Sequence, residues 1–321
     1  MSSELQIFAN GRVSVLSTKL FGADKFVRLA ECGGISEAVR LLADGGYGGG
    51  IVVNDANDYI EMLRNETEKL LAEFKELCTN DGARKFFLSN YDFVNAKVLM
   101  KAKYMRIDGT KGCFAQASFD VDKMQADFVN DDYSAYPKQM AEGCDAADDR
   151  FARGQRMPSV VDEELDKAMF AYMKKCAASS GLRVVKQLCA FRIDATNVVT
   201  LARAKKAGFE RERFEQLIVD GGKVKKDVLL RLWNEDNSVV SDLPDDVRKV
   251  YEAVCRNVAD GEEVRRNKEF ELLTSDPDTL SVAPVLVYFA RKTHEIDLVR
   301  MILIGVKNNL DKDEIKRRIA L

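Results

Sequence analysis

Residues 92–103 read Asp-Phe-Val-Asn-Ala-Lys-Val-Leu-Met-Lys-Ala-Lys, and residues 194–205 read Asp-Ala-Thr-Asn-Val-Val-Thr-Leu-Ala-Arg-Ala-Lys. The shared text is D-x-x-N-x-x-x-L-x-[KR]-A-K. A weaker third copy starts at Glu295, with Leu298 for Asn, Ile302 for Leu, Gly305 for Ala and Lys307 one place late. On a helix the acidic, Asn, large apolar and small positions fall on one face. Each copy is therefore expected to bury a polar pair, then a large apolar residue, then a small residue that lets another helix approach. Three such helices at near-equal spacing predict a threefold internal repeat, and a repeat decides the architecture before any other feature.

The rest of the chain fits helices around these three. Apolar stripes predict helices over 56–79 (Ile60, Leu63, Leu70, Leu71, Phe74, Leu77, Cys78), 162–179 (Leu165, Met169, Tyr172, Cys176), 245–260 and 262–273, the last two parted by a break at Gly261. The signature helices are expected over 84–104, 183–206 and 281–309, the last with Pro284 in its first turn. Residues 10–46 read as short helices, with Asp24 and Ser36 as caps, and Asp311 is expected to cap a short tail helix. The spacing F-x-x-L-x-x-x-G-G occurs at Phe26–Gly34 and again at Phe214–Gly222, a second mark of duplication. Strand alternation is nearly absent. The expected fold is all-α: three similar helical units, 1–105, 106–208 and 209–321, in a pseudo-threefold arrangement.

Composition narrows the function. Charged residues are 31% of the chain, yet the net charge is only −3, so no concentrated basic surface for nucleic acid is expected. Seven cysteines without a C-x-x-C pair read as reduced thiols filling core gaps in a cytosolic protein. The opening residues carry no signal-peptide pattern, and no run reaches the ~20 apolar residues of a membrane span.

The catalytic inventory is poor. His294 is the only histidine, which removes the common zinc sets and His-assisted triads, and it reads as a structural residue. No G-x-x-x-x-G-K-[ST] run exists, and Gly45–Gly50 reads as a flexible connector rather than a phosphate cradle. Asp148-Asp149 lacks the third carboxylate of a magnesium run, and the acidic run reads as a solvated loop and helix starts. Asp92 with Asn95 and Asp194 with Asn197 are read as structural hydrogen-bonding pairs that fix register. Lys101, Lys103, Arg203 and Lys205 either line an inner surface or end their helices in solvent, where the helix dipole favours them. No catalytic residue, metal or cofactor is expected.

Several stretches, taken in order, resemble one family. They are Asn10-Gly11-Arg12-Val13, the Leu41–Tyr47 segment, Asn95–Lys103, Asn197–Lys205, Pro284–Tyr288, Glu295–Arg300, Gly305–Leu310 and Glu314–Ile319. The family is the C subunit of rotary V-type and A-type ATPases (C/AC39), which includes the eukaryotic d subunit. Leu298 stands where the family usually has Asn, and 105–160 matches poorly. The resemblance implies a funnel-shaped, non-catalytic rotor subunit. It would join the central-stalk subunits D and F to the membrane proteolipid ring, peripherally, at the cytoplasmic face. Partner-binding roles are expected for Arg12, Lys101, Lys103, Arg203, Lys205 and Arg300, the last stabilising either partner docking or the closure of the third unit on the first. Without the resemblance, the repeats would equally allow a free helical scaffold of the solenoid kind.

Overall fold

The computed structural model describes residues 2–49, 55, 57–234, 237–275 and 280–319. They form fifteen α-helices and no strand among the described residues. In chain order the first four are α1 (Ser2–Ser17), α2 (Ala23–Glu31), α3 (Ile35–Asp44) and α4 (Tyr59–Leu77). Then follow α5 (Asp81–Met105), α6 (Val121–Val129), α7 (Lys138–Ala152), α8 (Pro158–Ser180) and α9 (Arg183–Lys206). The series continues with α10 (Arg211–Leu217), α11 (Lys226–Trp233), α12 (Asp245–Arg256) and α13 (Val258–Thr274), and ends with α14 (Ala283–Lys307) and α15 (Lys312–Ile319). The chain divides into two compact units, Met1–Thr79 with Asp278–Leu321, and Asn80–Pro277.

In the first unit α14 is the central helix, packed by α1, α2, α3 and α4. Phe74 of α4 meets Phe289 of α14 with ring centroids 4.2 Å apart. Gly305 lies under α15, and a Cβ there would press on the Ile315 side chain at 2.9 Å, so the small position of the third copy does admit a helix. Asp311 caps α15 as expected, accepting from the amides of Asp313 and Glu314.

The second unit holds both strong copies of the signature. Asn80 caps α5 by accepting from the Ala83 amide at 2.9 Å, and its own side-chain amide donates to the Ser180 carbonyl at the end of α8. Gly82 makes that crossing possible, because a Cβ there would overlap the Ser180 backbone. Around α9 lies a core of Phe191, Val198, Leu201, Phe214, Leu229 and Val250, and Phe214 stacks on Trp233 at 4.9 Å.

Several local expectations are overturned. Gly48 is buried, not part of a flexible connector: its φ is 72°, its amide donates to Glu66, and its α-carbon lies against Met62, leaving no room for a methyl; Gly50 lies outside the described residues. Gly261 does not break a helix; it sits inside α13 against Val254, and the break falls at Asn257, which caps α13. The helix expected to run to residue 79 ends at Leu77, and the signature helix expected from 84 opens earlier, at Asp81 behind the Asn80 cap. Gly22 and Gly34, not Asp24 and Ser36, occupy the cap positions of α2 and α3. Ile60 is 60% exposed, off the buried face of α4. Asp148 and Asp149 lie towards the end of α7 rather than in a loop or at a helix start, Asp149 solvated as expected with its side chain 72% exposed, and Cys255 is exposed while the other six thiols are buried.

Candidate functional site

The signature helices turn their repeated face inward, and its polar pair does one job. On α5, Asn95 brackets Phe114: its amide donates to the Phe114 carbonyl at 2.9 Å and its oxygen accepts the Phe114 amide at 2.7 Å. Asp92 accepts the Ser118 amide at 2.7 Å and the Ser118 hydroxyl at 2.8 Å. On α9, Asn197 brackets Val219 in the same way, at 2.9 Å for both bonds. Asp194 accepts the amides of Lys223 at 2.9 Å and Val224 at 3.0 Å. Phe114 and Ser118 in one loop keep the separation of Val219 and Lys223 in the other. The Asp and Asn pairs are thus latches that hold a loop to a helix.

The third copy keeps half of the latch. Leu298 cannot bracket a peptide group, but Glu295 accepts the Phe21 amide at 2.7 Å, just ahead of α2. Its other oxygen meets Lys292 at 2.5 Å, and Lys292 also reaches Glu66 at 2.6 Å. Glu66 in turn accepts the Gly48 amide at 3.0 Å. Both carboxylates are 3% exposed, so the lysine between them is what makes their charge tolerable. The sequence carried a signal for this that periodicity alone would give: Met62, Glu66 and Leu70 share one buried face of α4.

Desolvation acts most clearly on Asp194. Its side chain is wholly buried, and burial raises its pKa above the ordinary aspartate value, while the Val224 and Lys223 amides pull the other way. Tyr47 is pushed up by burial and by the nearby Glu295 and Glu66 carboxylates, which keeps its hydroxyl protonated.

The six residues singled out from the sequence are not brought together. Arg12 pairs with Glu76 at 2.5 Å, and Arg300 with Asp297 at 3.1 Å. Lys101 meets Asp162 at 2.6 Å, and Arg203 meets Glu262 at 3.0 Å. Lys205 donates to the Leu232 carbonyl at 3.2 Å. Lys103 is the most enclosed: Asp148 at 2.7 Å, Asp131 and the Tyr133 hydroxyl surround it, and Tyr104 donates to the same Asp148. All six therefore have acceptors inside their own unit. Arg12, Arg203 and Arg300 stay the most open, with side chains 39%, 59% and 48% exposed.

Arg12 has a setting that periodicity in the sequence did not bring out at first sight. Leu5, Phe8 and Val15 are each about three-fifths exposed and, with Arg12, step along one side of α1. The spacing 5, 8, 12, 15 was the available signal. Among the described residues no three His, Cys, Asp or Glu side chains converge as metal ligands, and no described helix is long and apolar enough to cross a membrane.

A family model described as "ATP synthase (C/AC39) subunit" matches residues 9–318. The chain is similar to the C subunit of the A-type ATP synthase of Thermococcus onnurineus (strain NA1), at 26% identity with 98% of this chain and 89% of that protein aligned. The protein of the same name from Desulfurococcus sp. (strain SY) is 23% identical over 96% of this chain and 89% of its own length. That of Methanococcoides burtonii is 22% identical over 100% of this chain and 95% of its own length.

Proposed function

This chain belongs to the ATP synthase (C/AC39) subunit family, and on that footing we propose that it is a non-catalytic rotor subunit of a V/A-type rotary ATPase. In this reading it seats the central-stalk subunits D and F on the membrane proteolipid ring. It passes torque between them for ion transport coupled to ATP synthesis or hydrolysis, from the cytoplasmic face and without a membrane span of its own. The observation that carries the proposal is the extent of the match: the family model runs from residue 9 to residue 318, and the relatives align over nearly their whole length.

The physical character of the chain supports the role. A torque-bearing spacer must not absorb rotation by deforming. Close-packed interiors have low compressibility and transmit strain. Here the loops after α5 and α10, and the loop before α2, are tied by buried carboxylates to a long helix, so the segments expected to yield first are held at their backbone.

The proposal includes the pseudo-threefold funnel of three similar units, 1–105, 106–208 and 209–321. What supports it is the carboxylate latch, which recurs on α5, α9 and α14. The third latch closes on Phe21, so α14 lies in one compact unit with residues 1–79. Arg12, Lys101, Lys103, Arg203, Lys205 and Arg300 remain the proposed contact residues, the three open arginines first among them.

The test is isolation of the native complex from membranes in mild detergent. The chain should accompany a proteolipid ring and stalk subunits through size exclusion and blue-native gels. Consistent recovery of the chain alone, while the ring carries its other subunits, would refute the role. Small-angle scattering of the free chain tests the arrangement: a funnel leaves the signature of a hollow, and an extended rod would exclude it.

A further inference from the structure

The first unit contains a cavity of about 210 Å³ whose wall is partly apolar, from Leu16, Leu20 and Leu70, and partly polar. That is well above the ~10–15 Å³ that a single water needs. The acceptors at the wall are already engaged. Glu66 accepts from Lys292 at 2.6 Å and from the Gly48 amide at 3.0 Å, and Glu73 accepts from the Tyr288 hydroxyl at 3.0 Å. Lys292 is engaged too, between Glu66 and Glu295.

Three donors at the wall are not engaged. Tyr47 is 4% exposed, and its buried hydroxyl has no hydrogen-bond partner among the described residues. Lys19 and Lys69 also line the cavity, and no described residue supplies a partner for either ammonium group. A buried hydroxyl without a partner is costly, and native structures rarely keep one unless a ligand or water completes it. The Tyr47 hydroxyl stays protonated under its surroundings and so acts as a donor. A buried hydroxyl without a partner, beside two exposed cationic donors, suits an acceptor-rich anion.

We propose that this cavity binds a small oxyanion, a phosphate or carboxylate group, through the Tyr47 hydroxyl and the Lys19 and Lys69 ammonium groups. A short apolar arm on the ligand lies along Leu16, Leu20 and Leu70. The site is separate from the partner contacts proposed above, and its test does not depend on assembly.

Sodium phosphate and sodium butyrate are titrated into the purified full-length chain by calorimetry, at fixed pH and ionic strength, with sodium chloride as the control. One saturable site is expected for at least one of the two probes. Stronger phosphate binding assigns a phosphate ligand, and stronger butyrate binding assigns a carboxylate. Tyr47→Phe and Lys69→Gln should each weaken binding about tenfold or more, as loss of a hydrogen bond to a charged group does, with circular dichroism unchanged. Absence of saturable binding by both probes overturns the proposal. So does unchanged affinity in Lys69→Gln, whose site lies on the exposed side of α4 and decides the matter even if Tyr47→Phe fails to fold.

Discussion

Replacing Asp194 by Ala should release the loop at 219–224 from α9 without unfolding the helix. The carboxylate is wholly buried and accepts two backbone amides, Lys223 at 2.9 Å and Val224 at 3.0 Å. Hydrogen bonds to a charged group contribute about 1.5–3 kcal/mol each, and the raised pKa of Asp194 means that its own desolvation offsets part of that. A net loss of about 2–4 kcal/mol follows, which is about 30- to 1,000-fold faster exchange at those two amides. Hydrogen exchange read residue by residue is the suitable assay, because a chain of two units need not unfold in one step. Gly222 supplies an internal control: a methyl on it would overlap the Asp194 carboxylate, so Gly222→Ala should loosen the same amides by displacing the acid. The two changes should then be strongly sub-additive in the double variant, since only one latch exists to lose. The amide of Ser118, held by Asp92, should keep its protection throughout. Unchanged exchange at 223 and 224 in Asp194→Ala, or full additivity with Gly222→Ala, would refute the assignment of the carboxylate as the latch.

Acidification provides a second check on the same residue. The folded pKa of Asp194 is raised above its ordinary 3.8, so the folded chain keeps this proton to higher pH than the unfolded chain does. Its contribution to stability is full below 3.8 and falls as pH rises through the folded value, and Asp194→Asn should flatten that part of a denaturation-versus-pH profile. Lys292→Met should cost about 3–5 kcal/mol in thermal or urea unfolding, because it strands Glu66 and Glu295 at 3% exposure; a loss under ~1 kcal/mol would mean that the two acids are not held by the lysine. Arg300→Ala removes only a half-exposed i,i+3 pair, so stability should move by no more than ~0.5 kcal/mol and helix content by nothing. Recovery of that variant with the proteolipid ring should fall, and intact assembly would take Arg300 out of the contact set.

The helical class and the inward face of the repeated segments were legible in the sequence because each rests on local periodicity. Asp92, Asn95, Leu99 and Ala102 are all buried, as are Asp194, Asn197, Leu201 and Ala204. The targets of the polar pair were not legible. Phe114 and Val219 are ordinary loop residues, and nothing in their type announces that a distant asparagine grips both sides of the peptide. Glycine was the other source of error, since composition cannot distinguish freedom from close approach. Gly48 and Gly261 read as loose or breaking, yet each is glycine because a neighbour, Met62 or Val254, occupies the place of its side chain. Missed as well was the charge cluster in the first unit, because Glu66 and Lys292 meet only through the fold, and a lysine on an apolar helix reads as exposed until its partners are known.

The bond from Glu295 to the Phe21 amide has a consequence for biosynthesis. A nascent chain leaving the ribosome presents α1 to α4 first, but the helix they pack around, α14, is translated only after the whole of Asn80–Pro277. The intervening unit can collapse on its own while the leading segment waits with its apolar faces bare, the condition that recruits chaperones. Synthesis truncated before α14 should therefore yield an aggregation-prone product whose trailing unit is nonetheless folded.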